Sequence, residues 1–471
     1  MFAKRGRLKL ASTDPSVSQT RSRLSGISSD RERARLHLVK IVFIVYWLLI
    51  FEGVLRKWAF PSLQKFLYFI RDPFVLLAYW LAFKYKLWPR FSLPFRLSLI
   101  LALAFLPLAL IQSLVLGITP VVVAYGWRNY FFYLPFAFLI GENFRGKDLK
   151  SLVRYTLLVA VPIAILCYKQ FSSPSDDVVN LALDGAATHM LVARDVVRTS
   201  GTFTVASAQA MFIGSIFSML LAVWLLPASQ RPLKRYSLWI ASAACLTTLA
   251  VSGARGSFVV VITIVIAALA SLILTTNQRR VNWVKILTIP LLLAVGWMLY
   301  VTVFNYAFIV MGERWSNALN NEGSIFSRVI GPFAGIIQVW PRLSLLGCGI
   351  GTGTNAGAVL TAGHMGILAE DEWSRILLEA GIFGVVYIAA RIFLTGWLAW
   401  SAAKAVRRSY NPLPLLLCAF LSSTLLVGQM TMQGTINGYA FLFIGFCLAA
   451  NRLGLHGKAT DSKHKAVERW Q

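Results

Sequence analysis

The feature that most constrains this chain is the repetition of apolar runs of about twenty residues, divided by short charged clusters. A hydrocarbon core about 30 Å thick takes about 20 apolar residues to cross, because a helix rises about 1.5 Å per residue. A closed barrel would alternate apolar and polar residues over about ten positions instead, and these runs do not alternate. Hydrophobic residues make up 57% of the 471 residues, against roughly 45–50% in soluble domains. The sequence therefore predicts an all-α integral membrane protein with about twelve transmembrane helices, near residues 39–55, 66–83, 97–116, 120–140, 152–168, 203–227, 237–252, 257–275, 286–311, 375–400, 413–431 and 436–450.

A net charge of +27 would suggest a nucleic-acid partner in a soluble chain, but here its distribution carries the information, and no nucleic acid is expected. The basic residues mostly sit between spans. With the N-terminal tail in the cytoplasm, every second connection should be basic. The clusters Lys84/Lys86/Arg90/Arg96, Arg145/Lys147/Lys150/Arg154, Arg231/Lys234/Arg235, Arg279/Arg280/Lys285 and Lys404/Arg407/Arg408 meet that rule, giving an N-in, C-in topology. The first outer connection, with Arg56, Lys57 and Lys65, dissents. The expected organisation is a basic cytoplasmic tail over 1–38, helices over 39–311, a large outer loop over 312–374, helices over 375–451 and a second cytoplasmic tail over 452–471. The polar first segment precedes a full-length span, so it reads as a tail and not as a cleaved signal.

Five scattered cysteines, Cys167, Cys245, Cys348, Cys418 and Cys447, have no spacing suited to a metal or a redox pair. Neither a metal nor a cofactor is expected.

Two outer connections are long. Residues 169–201 carry Asp176, Asp177, Asp184 and Asp195 against Lys169, Arg194 and Arg198, a composition suited to a lid. Residues 312–374 exceed what a turn between packed helices needs. Within them Trp315, Ile325, Phe326, Val329, Ile330, Phe333, Ile336, Ile337, Val339 and Trp340 repeat at helical spacing up to Pro341, which predicts an amphipathic helix on the outer membrane face.

Charges within or at the outer ends of spans cost several kcal/mol unless paired or hydrated, so each is a candidate for function. Glu52, Arg56, Lys57, Arg71 and Asp72 mark the ends of the first two spans, and mutual pairing that clamps the helices is their bland reading. Arg128, in Tyr125-Gly126-Trp127-Arg128-Asn129-Tyr130, reads either as a snorkelling arginine or as part of a buried anion site. Ser252-Gly253-Ala254-Arg255-Gly256-Ser257 forms a tight turn whose arginine suits a diphosphate, through the planar fork of its guanidinium; contact with lipid headgroups is the plain alternative. Arg314 and Arg328 flank the start of the amphipathic helix. The run Gly347-Cys348-Gly349-Ile350-Gly351-Thr352-Gly353 has neither the preceding strand of a dinucleotide fold nor the lysine of a P-loop. His364 and the Glu370-Asp371-Glu372 run follow; adjacent carboxylates can raise one another's pKa toward a base's range, or simply cap a helix.

Together, Ser-Gly-Ala-Arg255-Gly, Arg328 with its apolar helix to Trp340-Pro341, Leu346-Gly347-Cys348-Gly349-Ile350-Gly351, and Leu378-Glu379-Ala380-Gly381-Ile382-Phe383-Gly384 resemble the O-antigen ligase and polymerase superfamily. The similarity covers mainly residues 200–400. The resemblance implies a bacterial inner-membrane enzyme of about twelve helices, with a periplasmic loop between the ninth and tenth. It implies glycosyl transfer outside the cytoplasm from an undecaprenyl diphosphate-linked oligosaccharide, without metal or sugar nucleotide. Arg255 and Arg328 match the family's arginines, which would neutralise the departing diphosphate, with Arg128 and Arg314 as further candidates. The family's histidine position, about eleven residues before Gly381, falls on Glu370, so the base is left among His364, Glu370 and Glu372. A flippase and a chain-length regulator are the implied partners of a polymerase. The rival readings are a ligase that attaches O-antigen to a lipid acceptor and a flippase of lipid-linked saccharides or other transporter.

Overall fold

The computed structural model describes residues 15–89, 92–183, 194–276, 291, 294–298, 300–322, 325–354, 357, 369 and 371–468; at 15–28, 318–319, 321–322, 325–330, 332 and 456–468 it describes the backbone alone. Among the described residues the chain is helical, with no β-strand. Eight helices among the described residues are long and apolar enough to cross a membrane, or nine if one bent pair counts as a single span. The protein is thus a membrane-embedded helical bundle.

Its first helix, α1 (Pro15–Val54), passes into a π-turn at Leu55–Ala59 and a short helix α2 (Gln64–Leu67) before α3 (Asp72–Lys84). Next come α4 (Leu93–Leu114) and a broken helix, α5 (Pro120–Trp127) and α6 (Leu134–Asn143), joined by a second π-turn at Arg128–Phe132. The helices α7 (Gly146–Ser172), α8 (Ala206–Leu225), α9 (Arg235–Ala250) and α10 (Arg255–Thr276) follow.

The ninth expected span, 286–311, is not one straight helix. Helix α11 (Ala294–Val303) meets α12 (Asn305–Glu322) at 98°. A straight helix would set Tyr300 and Phe308 about 12 Å apart along its axis. Their rings instead lie 5.6 Å apart, and Trp297 also meets Phe308, so aromatic packing closes the corner. Since α12 continues past residue 312, the large connection begins later than the sequence suggested. Its amphipathic helix is α13 (Ile325–Val339), which stops two residues before the expected break at Pro341, while Trp315, expected in the same helix, lies on α12; α13 packs on α14 (Glu372–Ala380), where the rings of Phe333 and Trp373 lie 6.2 Å apart. The bundle closes with α15 (Ile382–Ser409), α16 (Leu413–Val427) and α17 (Gly434–Glu468), the last lying along α6 and α15.

The bundle has two chemically distinct ends. At one, Arg35 bonds Asp148 and the Asn143 carbonyl, Arg145 reaches Glu32, and Arg452 donates to the carbonyls of Gly141 and Phe144. A cavity lined by Lys150, Gln230, Pro232, Asn411 and Gly454 brings further basic connections to this same end. At the other, called here the loop end, Trp58 donates to Val178, Lys57 to Ser200, Arg71 to Gly434 and Trp373 to Leu426.

Candidate functional site

Two buried charged networks and one arginine-bearing patch occupy the loop end. In the first network Arg375, 1% exposed, donates to Glu379 at 2.8 Å and Glu372 at 2.7 Å, while Arg391 donates to Glu372 at 2.9 Å. The i,i+3 and i,i+4 spacing on α14 sets Glu372 and Glu379 on either side of Arg375. Glu372 also accepts from the Thr431 amide and hydroxyl, and Tyr130 donates to Glu379 at 2.7 Å. Burial opposes the charge on Glu372, but Arg375 and Arg391 outweigh it and hold the carboxyl below the usual carboxylate range. A general base works best with a pKa near the operating pH. Glu372 is therefore bound into the architecture and poorly suited to take a proton.

The glycine run serves this network. Gly353 donates its amide to Glu379 at 2.9 Å, and Gln112 ties the Leu346 and Glu379 carbonyls to the Ile350 amide. Gly351 has φ +89°, and a Cβ there would stand 2.5 Å from the Val122 carbonyl oxygen; one on Gly126 would meet Ile350 at the same distance. Backbone is thus laid on backbone where α5 ends. The run is an inserted structural plug and not an open phosphate cradle.

The second network joins α1, α3 and the broken α5/α6 helix. Glu52 accepts from Arg56 at 2.6 Å and lies 3.4 Å from Arg71, which is fully buried. Arg128 forks onto Asp72, Nε to Oδ2 and Nη2 to Oδ1, each at 2.7 Å, and Tyr133 donates to Asp72 at 2.5 Å. The fork that a diphosphate would use on Arg128 is therefore occupied by Asp72. Of the mutual pairing expected of these residues, Glu52 with Arg56 and Arg71 is present, whereas Asp72 pairs one helix further, with Arg128, and Lys57 meets only the Ser200 hydroxyl among the described residues.

The third assembly surrounds Arg255, which opens α10 and is half-buried. Ala250 and Phe258, on either side of its turn, pack with Tyr300, Phe304, Ala307 and Phe308 of the bent α11–α12 pair. Thr199 donates to the Val251 carbonyl, and Arg194 pairs with Glu313, so the connection before α8 is tied to both the turn and α12. Arg314 sits seven residues beyond Ala307, about 10 Å along the axis. It is 8% exposed, and its Nε and Nη1 have no hydrogen-bond partner among the described residues. Arg328 lies on α13, where the backbone alone is described, and His364 and Glu370 lie outside the described residues.

Sequence reasoning missed Tyr130, Gln112 and Arg391, each of which meets its partners across 19 or more positions of chain. No local pattern marks such contacts. Fold and site together define a membrane-embedded helical protein with buried, paired charges at its loop end. No protein-family model matches the chain, and no curated protein matches it significantly.

Proposed function

We propose that the protein is a membrane glycosyltransferase of about twelve spans that acts outside the cytoplasm, in the bacterial inner membrane. It would transfer or polymerise saccharide units from an undecaprenyl diphosphate-linked donor in surface polysaccharide synthesis. The observation that supports this reading is Arg314, buried on the helix that packs beside the Arg255 turn, with Nε and Nη1 unpartnered among the described residues. A buried cation without a counter-charge costs several kcal/mol, which a ligand's negative charge can offset. In the proposed step an acceptor hydroxyl oxygen attacks the anomeric carbon and the bond from that carbon to the diphosphate oxygen breaks. The diphosphate leaves with the electron pair. Arg255, Arg314 and Arg328 stabilise the charge that develops on it, and His364 or Glu370 takes the hydroxyl proton. Glu372, held ionised by two arginines, positions α14 instead.

A ligase would use the same donor chemistry with a lipid acceptor. A flippase is the second reading, favoured by the 98° break at Phe304, since transporters use discontinuous helices. Purified protein in liposomes, supplied with a lipid-linked oligosaccharide, separates these readings. Longer glycans support the polymerase, glycan on a supplied lipid acceptor supports the ligase, and leaflet movement without new linkages refutes the enzyme.

A further inference from the structure

Arg56, Arg71 and Arg128 share two aromatic walls. Arg56 and Arg128 lie 5.3 and 5.6 Å from the centre of the Tyr68 ring, and Arg71 and Arg128 lie 5.7 and 5.5 Å from that of Tyr133. Against these three guanidinium groups stand two carboxylates, Glu52 and Asp72. Lys57, next along the π-turn, is buried too, and its ammonium bonds only the neutral Ser200 hydroxyl among the described residues. The cluster thus holds more positive than negative charge, in surroundings where each unpaired ion is costly. Arg71 is fully buried, and its Nε and Nη1 have no hydrogen-bond partner among the described residues.

Backbone geometry gives a second, independent pointer. The described residues contain two π-turns, Leu55–Ala59 and Arg128–Phe132, and both carry cations of this cluster. Such turns interrupt favourable helical bonding and are frequent at functional sites. Pairing alone would not require them. The cluster also explains why Arg56 and Lys57 depart from the charge rule that the other connections obey: both are held inside the protein, away from lipid headgroups.

We infer that Arg56, Lys57 and Arg71, backed by the Asp72-paired Arg128, form a second oxyanion site, built from other side chains than the Arg255 turn, which takes one carboxylate or phosphate group. Residues 199–200 touch both places, Thr199 at the Val251 carbonyl and Ser200 at Lys57. The anion would be either the carboxylate of an acidic sugar or the phosphate of a lipid head. The inference stands without the glycosyltransferase reading, because it rests on charge and geometry at this cluster alone.

Calorimetric titration of the full-length protein in nanodiscs with glucuronate, and separately with inorganic pyrophosphate, tests it. Binding of at least one probe should weaken about a hundredfold in Arg71→Met and about tenfold in Lys57→Met. Glu52→Gln, which removes a competing carboxylate, should strengthen it about tenfold, a gain that a purely structural cluster would not show. Sensitivity of glucuronate alone assigns a saccharide carboxylate, and of pyrophosphate alone a phosphate head. Loss of polymer synthesis in Arg255→Ala with this binding retained separates the two sites. Should Arg71→Met fail to fold, the other two variants decide. Absence of binding by both probes, or affinities unchanged in Lys57→Met and Glu52→Gln, overturns the inference.

Discussion

Arg128 Nε and Nη2 each lie 2.7 Å from a different oxygen of Asp72, so one forked ion pair locks α3 to the π-turn of the broken helix. Both partners are largely shielded from solvent, at 11% and 17% side-chain exposure. Removing one charge from such a pair strands the other, a loss of about 3–5 kcal/mol, whereas apolar replacement of both is often neutral. Asp72→Asn and Arg128→Met should each lower the melting temperature of the purified protein clearly, and the double variant Asp72→Leu/Arg128→Met should recover most of the loss. Equal melting of all four proteins would show that the pair contributes nothing.

Glu372 gives a pH dependence with a definite sign. Its carboxyl is held below the ordinary value of 4.5, so its stabilising effect is fully present above that value and is lost as pH falls through the lower, folded-state value. Across the neutral range the contribution is flat. Melting of the wild type relative to Glu372→Gln should therefore show a constant gap from about pH 6 to 8 that narrows only under acid conditions. A gap that changes near neutrality would mean that Glu372 titrates there, as a working base does.

Gly126 and Gly351 face each other across the plug. Gly351 has φ +89°, and neither position has room for a Cβ. Strain of this kind costs about 1–3 kcal/mol before any clash is counted. Gly351→Ala and Gly126→Ala should reduce the yield of folded protein and raise protease cleavage within 343–357. Alanine tolerated at both positions with unchanged yield would contradict the plug.

Much of the architecture is legible in the sequence because membrane crossing imposes a one-dimensional rule. The apolar runs, the grouping of basic connections at one end and the helix ending before Pro341 all follow from local composition. The bend at Phe304 does not, because Tyr300, Phe304 and Phe308 read as one apolar stretch, and only their mutual stacking reveals the corner. The acidic segment is legible as helix-capping but not as a network. Asp371 caps α14 through the Ser374 amide, whereas Glu372 depends on Arg391 and Thr431, 19 and 59 residues away. The second charged cluster is legible as separate charges at the ends of the first two spans and at Arg128, but not as one network, because the Arg128–Asp72 pair spans 56 positions of chain.

At the Arg255 turn, Arg255→Ala and Arg314→Ala should each abolish glycan extension while folded protein still accumulates at the wild-type level. Arg255→Lys, which keeps charge but loses the planar fork, should retain only partial activity. Unimpaired extension in both alanine variants would remove these arginines from the mechanism.

The most direct test counts two products together. Purified protein in liposomes is given the undecaprenyl diphosphate-linked oligosaccharide, and new glycosidic bonds and released undecaprenyl diphosphate are measured in parallel. The account predicts their appearance in a one-to-one ratio in the wild type and the absence of both in the Arg255→Ala/Arg314→Ala variant. Movement of the donor between leaflets, with neither product formed, would contradict it.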